Sequence, residues 1–95
     1  VRSPHLGITL DTGNFQAADP YADIAACAPH AINVHFKTEL RVGGKPEATD
    51  YARVVRILRE ANYGGAVAIE YEAKEDPLTA LPRLVPALRQ ALAAE

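Results

Sequence analysis

Four ionisable side chains come at or near the ends of three short apolar segments of this sequence. Asp11 follows LGITL, His35 and Lys37 stand in AINVHFK, and Glu70 follows AVAI. Two carboxylates and an imidazole form a ligand set that suits Mn²⁺, Mg²⁺, Co²⁺ or Zn²⁺ and leaves positions open for substrate oxygens. Such an ion can stabilise the enediolate that forms when a proton leaves the carbon beside a carbonyl group. A nearby carboxylate can carry that proton.

Each of these side chains also has a purely structural explanation. A single inward histidine is more often a hydrogen-bonded core residue than a ligand. Asp11, before Thr-Gly, can form a turn by bonding its own backbone, and Lys37 can simply pair with Glu39, Glu70 or Glu72. Glu70 is harder to explain in this way, because an inward carboxylate after Val-Ala-Ile costs free energy unless it is paired or metal-bound. The recurrence of such residues at matching strand ends favours a functional site.

The three segments have the composition and the alternation of β-strands, which we predict near residues 6–11, 31–37 and 66–72. In each of them, bulky apolar side chains point to one face, while small or ionisable side chains point to the other. The ionisable residues come at the carboxyl ends.

Helices are predicted near residues 20–29, 50–62 and 77–94. Asp-Pro pairs mark two of the starts, because aspartate caps a helix and proline suits its first turn. Gly64 and Gly65 mark a stop. Pro82 and Pro86 lie inside the third helical pattern and predict a kink or a separate first turn.

Alternating strands and helices predict right-handed crossovers and a parallel sheet. Because only one face of each strand is bulky, the helices should cover one face, whereas an open doubly wound sheet is apolar on both. A (β/α)8 TIM barrel with a polar-topped interior fits this pattern. Such a barrel takes about 250 residues, and this chain has 95. We therefore expect residues 1–95 to form one α/β domain, the last three βα units of a larger barrel.

The composition argues against several other classes of protein. The net charge is −2 without a basic run, so neither nucleic acid nor an anionic membrane is an expected partner. Cys27 is the single cysteine, which excludes an internal disulfide and a cysteine-based zinc site. No apolar run reaches membrane-spanning length and no signal peptide is present, which predicts a cytoplasmic protein. The chain begins at Val1 rather than Met, which suggests an upstream part.

Three stretches of the chain resemble a known family. They are LGITLDTGNF, INVHFKTEL and DYARVVRILREANYGGAVAIEYE. In this order they are similar to the last three strand segments of the xylose isomerase-like TIM barrel superfamily, specifically its sugar phosphate isomerase/epimerase branch. The resemblance extends from about Leu6 to Leu92 and implies a divalent-metal-dependent isomerase or epimerase of sugars or sugar phosphates.

The resemblance also implies a role for individual residues. In the family a metal is held by two glutamates, an aspartate and a histidine, which makes Asp11, His35 and Glu70 the metal ligands here. The first glutamate belongs to an earlier strand outside this chain. Glu70 would be both ligand and acid/base catalyst. Asn14 stands where many relatives have a histidine that contacts substrate or a second metal.

Two further residues complete the expected site. Lys37 would stabilise an anionic oxygen or bind a substrate phosphate, which makes it a catalytic or substrate-binding residue. Glu72 is either a solvated rim residue or a partner that holds His35 or Lys37 near the substrate. Expected partners are a small sugar or sugar phosphate and the missing N-terminal part of the barrel. The open sheet edges also predict that the isolated chain forms a homo-oligomer, aggregates or folds only loosely.

Two other functions stay open at this point. One is an endonuclease of the same superfamily that acts on abasic DNA, which would need more histidines for a zinc cluster. The polar loop at residues 38–49 offers only Arg41 and Lys45 to a DNA backbone, although loops of this length are often functional. The other is a non-catalytic, truncated barrel that binds a partner through its open edges.

Overall fold

The computed structural model describes residues 6–15 and 18–94. This part of the chain forms a parallel three-stranded sheet, an antiparallel two-stranded hairpin and three α-helices. In chain order the elements are β1 (Ile8–Asp11), α1 (Pro20–Cys27), a 3₁₀ turn (Ala28–His30), β2 (Ala31–Lys37), β3 (Glu39–Val42), β4 (Lys45–Ala48), α2 (Tyr51–Glu60), β5 (Val67–Glu70) and α3 (Pro77–Ala94).

The sheet has the predicted parallel topology, with the order β1-β2-β5 and β2 in the centre. The predicted central strand is confirmed in full, whereas β1 and β5 are shorter than predicted at 6–11 and 66–72. All three strands therefore end at the same edge of the sheet, and this edge carries the ionisable residues.

The helices cover one face of the sheet, as predicted. Leu10, Val34 and Phe36 point into one apolar core from the sheet. The helices contribute the buried residues Tyr21, Ile24, Val54, Val55, Leu58 and Leu88 to the same core. On the opposite face Thr9 and Ala68 are exposed. The arrangement is that of a partial TIM barrel, in which this second face would look toward the barrel axis.

The apolar face of the sheet is not buried along its whole length, because the register between β1 and β2 shifts by one residue near their amino ends. Ile8 pairs with Ala31 but Thr9 pairs with Asn33, so Ile32 has no partner in β1. Ile32 is 64% exposed as a result of this irregularity. The predicted alternation therefore holds from Thr9 onward, where the strands approach the site.

The predicted loop at residues 38–49 is instead the hairpin β3–β4. Gly43 and Gly44 form its two-residue turn with φ angles of +59° and +83°, which glycine adopts at little cost. Leu40 is buried in the core and anchors the hairpin. The prediction missed the hairpin because every residue of β4 is exposed, so that strand shows no apolar alternation.

α1 starts at its predicted cap, α2 starts at a cap that was not predicted, and both helices end differently from the prediction. The carboxylates of Asp19 and Asp50 accept hydrogen bonds from the backbone of the first turns of α1 and α2. The chain leaves α1 through the 3₁₀ turn, and it leaves α2 near Asn62, whose φ is +58°. Asparagine tolerates this left-handed conformation better than most residues, so α2 stops before the predicted glycine pair.

α3 runs as one helix through Pro82 and Pro86, so of the two predicted alternatives the separate first turn is wrong and the kink stays a prediction. The start after Asp76 is confirmed, since its backbone carbonyl accepts from the amides of Thr79 and Ala80 at 2.9 Å. Each proline removes one helical donor. Both prolines lie on the exposed side of the helix, where water can reach the released carbonyl groups. No helix in the described ranges is long and apolar enough to cross a membrane.

Two threonines extend the strand pairing at the carboxyl end of β2. The Thr12 amide donates to the His35 carbonyl at 3.1 Å, and the Thr12 hydroxyl accepts from the Lys37 amide at 2.9 Å. On the other side, the Thr49 hydroxyl donates to the Lys37 carbonyl at 2.7 Å. Both threonines are buried. They fix the backbone on which His35 and Lys37 stand.

Replacement of Thr12 tests this role. Thr12→Val keeps the shape of the side chain but leaves the Lys37 amide without its acceptor. We expect a loss of about 1 to 2 kcal/mol in the free energy of unfolding, with faster hydrogen exchange at Lys37. Thr12→Ser keeps the hydroxyl and should recover most of this loss. Equal unfolding energies for the valine and serine variants in urea titrations would contradict the assignment.

Two tyrosines of the helices differ in whether their hydroxyl group has a hydrogen-bond partner. Tyr21 OH accepts from the Asp50 amide at 2.9 Å. Tyr51 packs edge-on against Phe36, with ring centroids 5.0 Å apart, and its buried hydroxyl has no hydrogen-bond partner among the described residues. Burial raises the pKa of Tyr51, against a smaller opposite effect of Arg83.

The same chemical change should therefore have opposite effects at the two positions. Tyr51→Phe removes an unpaired buried hydroxyl and should raise the free energy of unfolding by about 1 kcal/mol, while Tyr21→Phe should lower it by a similar amount. Because the pKa of Tyr51 is higher in the folded than in the unfolded state, the unfolded state loses its proton first, and the free energy of unfolding falls as the pH rises above about 10. Tyr51→Phe should remove part of this fall. Urea unfolding at pH 7.5 and pH 10.5 measures both effects. Destabilisation by Tyr51→Phe would refute this explanation.

Candidate functional site

The three predicted ligands converge at the carboxyl edge of the sheet. Asp11 ends β1, His35 lies in β2 and Glu70 ends β5. One ligand atom from each of them can be chosen so that all three lie within 4.8 Å of one another. The side chains are half-buried. The predicted convergence of these groups is thus found in the structure.

The strand register corrects one detail of the prediction that the three side chains leave the sheet at the same level. Asp11 lies opposite His35, but Glu70 lies opposite Lys37, two residues farther along β2. Glu70 nevertheless reaches back to the histidine, with its Oε2 3.5 Å from His35 Nδ1. The stagger of parallel strands around a barrel accounts for this offset.

Lys37 places its ammonium group among the carboxylates of the site. Its Nζ lies 3.1 Å from Asp11 Oδ2, 3.8 Å from Glu70 Oε1 and 3.5 Å from Glu72 Oε2. Burial, the largest single effect, lowers the pKa of Lys37, but the hydrogen bond and charge of Asp11, together with the charges of Glu70 and Glu72, raise it above the ordinary value. The lysine is therefore a stable cation in this site.

The pKa of Glu70 reflects an excess of negative charge among Asp11, Lys37, Glu70 and Glu72. This pKa is raised, first by a side-chain hydrogen bond with Glu72, then by burial and by the charges of Asp11 and Glu72. The ammonium of Lys37 opposes this rise without reversing it. One ammonium is thus outweighed by three carboxylates, and an added cation would relieve their repulsion. The Glu72 side chain is 63% exposed, as a solvated rim residue would be, and its contact to Lys37 is also compatible with the alternative of a partner for that lysine.

The Asp-Thr-Gly-Asn turn gives Asp11 a structural role as well. Asp11 Oδ1 accepts from the Gly13 amide at 3.0 Å, and the Asp11 carbonyl accepts from the Asn14 amide at 3.2 Å. The turn leaves Oδ2 of Asp11 for Lys37. The turn-forming and site-forming explanations of Asp11 therefore hold together, each through a different oxygen.

A cleft of about 190 Å³ adjoins the ionisable cluster. The predicted site residues Asn14, Lys37, Glu70 and Glu72 line it. The hairpin supplies its other wall through Glu39, Leu40, Arg41 and Pro46. These hairpin residues were not predicted as site residues, and alternation in ELRV before a Gly-Gly pair is the signal that could have revealed them.

The donor atoms of the triad fit a divalent ion. Oxygen and imidazole ligands suit the metals named above, and metal–ligand bonds of about 2.0 to 2.3 Å need only modest side-chain movement from the observed spacing. Among the described residues, this triad is the group of three potential ligands whose ligand atoms lie within 4.8 Å of one another. His30 is exposed in the 3₁₀ turn, and His5 lies outside the described residues.

Comparison with known proteins agrees with this geometry. The family model of the xylose isomerase-like TIM barrel matches residues 1–92. Neither the curated proteins nor the solved structures gave a significant match. The family consists largely of enzymes, among them isomerases, epimerases and endonucleases. With nearly its whole length matched, a partial barrel of βα units and a ligand triad at the strand ends, the chain belongs to the xylose isomerase-like TIM barrel family.

Proposed function

We propose that this chain supplies the last three βα units of a divalent-metal-dependent isomerase or epimerase that acts on a sugar or sugar phosphate. The observation that carries the proposal is the convergence of Asp11, His35 and Glu70 within 4.8 Å beside a cleft. A further glutamate from an earlier strand of the same barrel would complete the ligand set. Residues 1–95 are then the C-terminal part of one barrel domain.

The proposed reaction is a proton transfer next to a carbonyl group. The metal, when bound, would supply Lewis-acid stabilisation of the negative charge that develops on the substrate oxygens. Glu70 has to accept a proton from carbon and return it. Glu70 lines the cleft, where a carboxylate can take up a proton and give it back.

The other cleft residues are suited to bind the substrate. Lys37 presents a stable ammonium group that can stabilise an anionic oxygen or bind a phosphate. Asn14 and Glu72 line the same cleft and can hydrogen-bond to substrate hydroxyl groups. The cleft thus combines one proton carrier, one cation and two hydroxyl-binding groups.

The charge of the cleft favours a small substrate over DNA. Glu39, Glu70 and Glu72 line it together with only two cations, Lys37 and Arg41. A DNA-binding groove needs an excess of cationic side chains, because phosphate neutralisation supplies most of the affinity. The triad also contains one histidine, which is fewer than a multi-zinc nuclease site needs.

Replacement of Glu70 tests the proposed function. In the full-length protein, Glu70→Gln should lower metal content and reduce turnover by about 10³-fold or more, because it weakens a ligand and removes the proton carrier. Turnover can be followed as deuterium uptake from D₂O at the carbon beside the carbonyl of candidate ketoses and ketose phosphates. Uptake should disappear when the metal is chelated.

The matched control is Glu60→Gln, the same change at an exposed residue of α2. It should leave both metal content and deuterium uptake at wild-type levels. Unchanged metal content and unchanged turnover in Glu70→Gln would refute the proposed role. Deuterium uptake that survives chelation would refute the metal-dependent mechanism.

A further inference from the structure

The side chain of Lys37 is held in place along its whole length. Only 12% of it is exposed. Its aliphatic part crosses the turn after β1 directly over Gly13, where a Cβ would lie 2.6 Å from Lys37 Cγ and 3.0 Å from Cδ. Real Cβ atoms do not approach neighbours this closely, so any larger residue at position 13 would displace the lysine. The glycine of the Asp-Thr-Gly turn thus makes room for this one side chain.

The ammonium group of Lys37 lies close to the ligand atoms of the metal triad. It is 3.1 Å from Asp11 Oδ2 and 3.8 Å from Glu70 Oε1, and both residues belong to the triad. Glu72 contributes a third carboxylate at 3.5 Å. A divalent ion bound by the triad would therefore compete with the Lys37 ammonium for the carboxylates of Asp11 and Glu70.

We propose that Lys37 is a built-in counter-cation that sets the affinity of the site for its metal. The part of the site in this chain carries three carboxylates and one ammonium, and a divalent ion reduces its excess of negative charge. Without the ion, the lysine holds the carboxylates together against their mutual repulsion. With the ion bound, the lysine and the metal repel each other, which keeps the metal exchangeable. This positioning role rests on the metal site of the proposed function and goes beyond a contact of Lys37 with substrate.

Metal titration without substrate tests the proposal. Co²⁺ is added to the metal-free full-length protein, and its dissociation constant is read from visible absorption and calorimetry. Lys37→Met keeps an unbranched side chain only one atom shorter and removes the charge, so Co²⁺ should bind about tenfold more tightly or better. The metal-free variant should also melt at a lower temperature than the wild type, because the carboxylates lose their counter-ion.

Three further variants separate charge from packing. Lys37→Arg keeps the charge and should bind Co²⁺ within about threefold of the wild type. Gly13→Ala displaces the aliphatic part of the lysine and should shift the affinity in the same direction as Lys37→Met. Lys45→Met, the same change at an exposed position of β4, should alter neither the affinity nor the melting temperature.

The outcomes distinguish this inference from the proposed function. If Lys37→Met is unfolded without metal, the rise in its melting temperature on adding Co²⁺ should exceed that of the wild type, since tighter binding to the folded state stabilises it more. Equal or weaker Co²⁺ binding by Lys37→Met overturns the role of the lysine and leaves the metal site standing. The absence of Co²⁺ binding by every variant and by the wild type overturns both.

Discussion

The pairing of β1 with β2 at their carboxyl ends is the constraint on which the site depends. It places Asp11 opposite His35. Thr12 then continues the pairing past the end of β1, first through its amide and then through its buried hydroxyl. Because a shift of one residue would turn every side chain to the other face of the sheet, these bonds decide whether the ligands meet at all. The irregularity at Ile32 is tolerated because it lies at the far end of the strands.

Charge is the second constraint, and it acts against the fold. Three carboxylates meet over a short distance, and one partly buried ammonium only partly balances them. Such an arrangement costs stability unless a further cation is bound. The apolar core on the other face of the sheet, centred on Val34 and Phe36, provides the stability that the site itself lacks.

Much of this architecture could be predicted from the sequence, because period-two alternation and Asp-Pro helix starts are local signals. The carboxyl-end positions of Asp11, His35 and Glu70 followed from the same alternation. The stagger of Glu70 could not be predicted, since register between strands depends on contacts that are distant in sequence. The hairpin was missed because β4 has no buried residue. The position of Lys37 among three carboxylates depends on side-chain packing over Gly13, which no local pattern reports.

The hairpin has a consequence for how relatives of this protein could diverge. It is fixed to the body of the molecule through Leu40 and Thr49, while its tip at Gly43 and Gly44 has open space around it. Insertions or substitutions at this tip would therefore disturb neither the sheet nor the ligand triad. The tip of the hairpin can thus vary in length and sequence among relatives while the strands and the ligand triad beneath it stay the same.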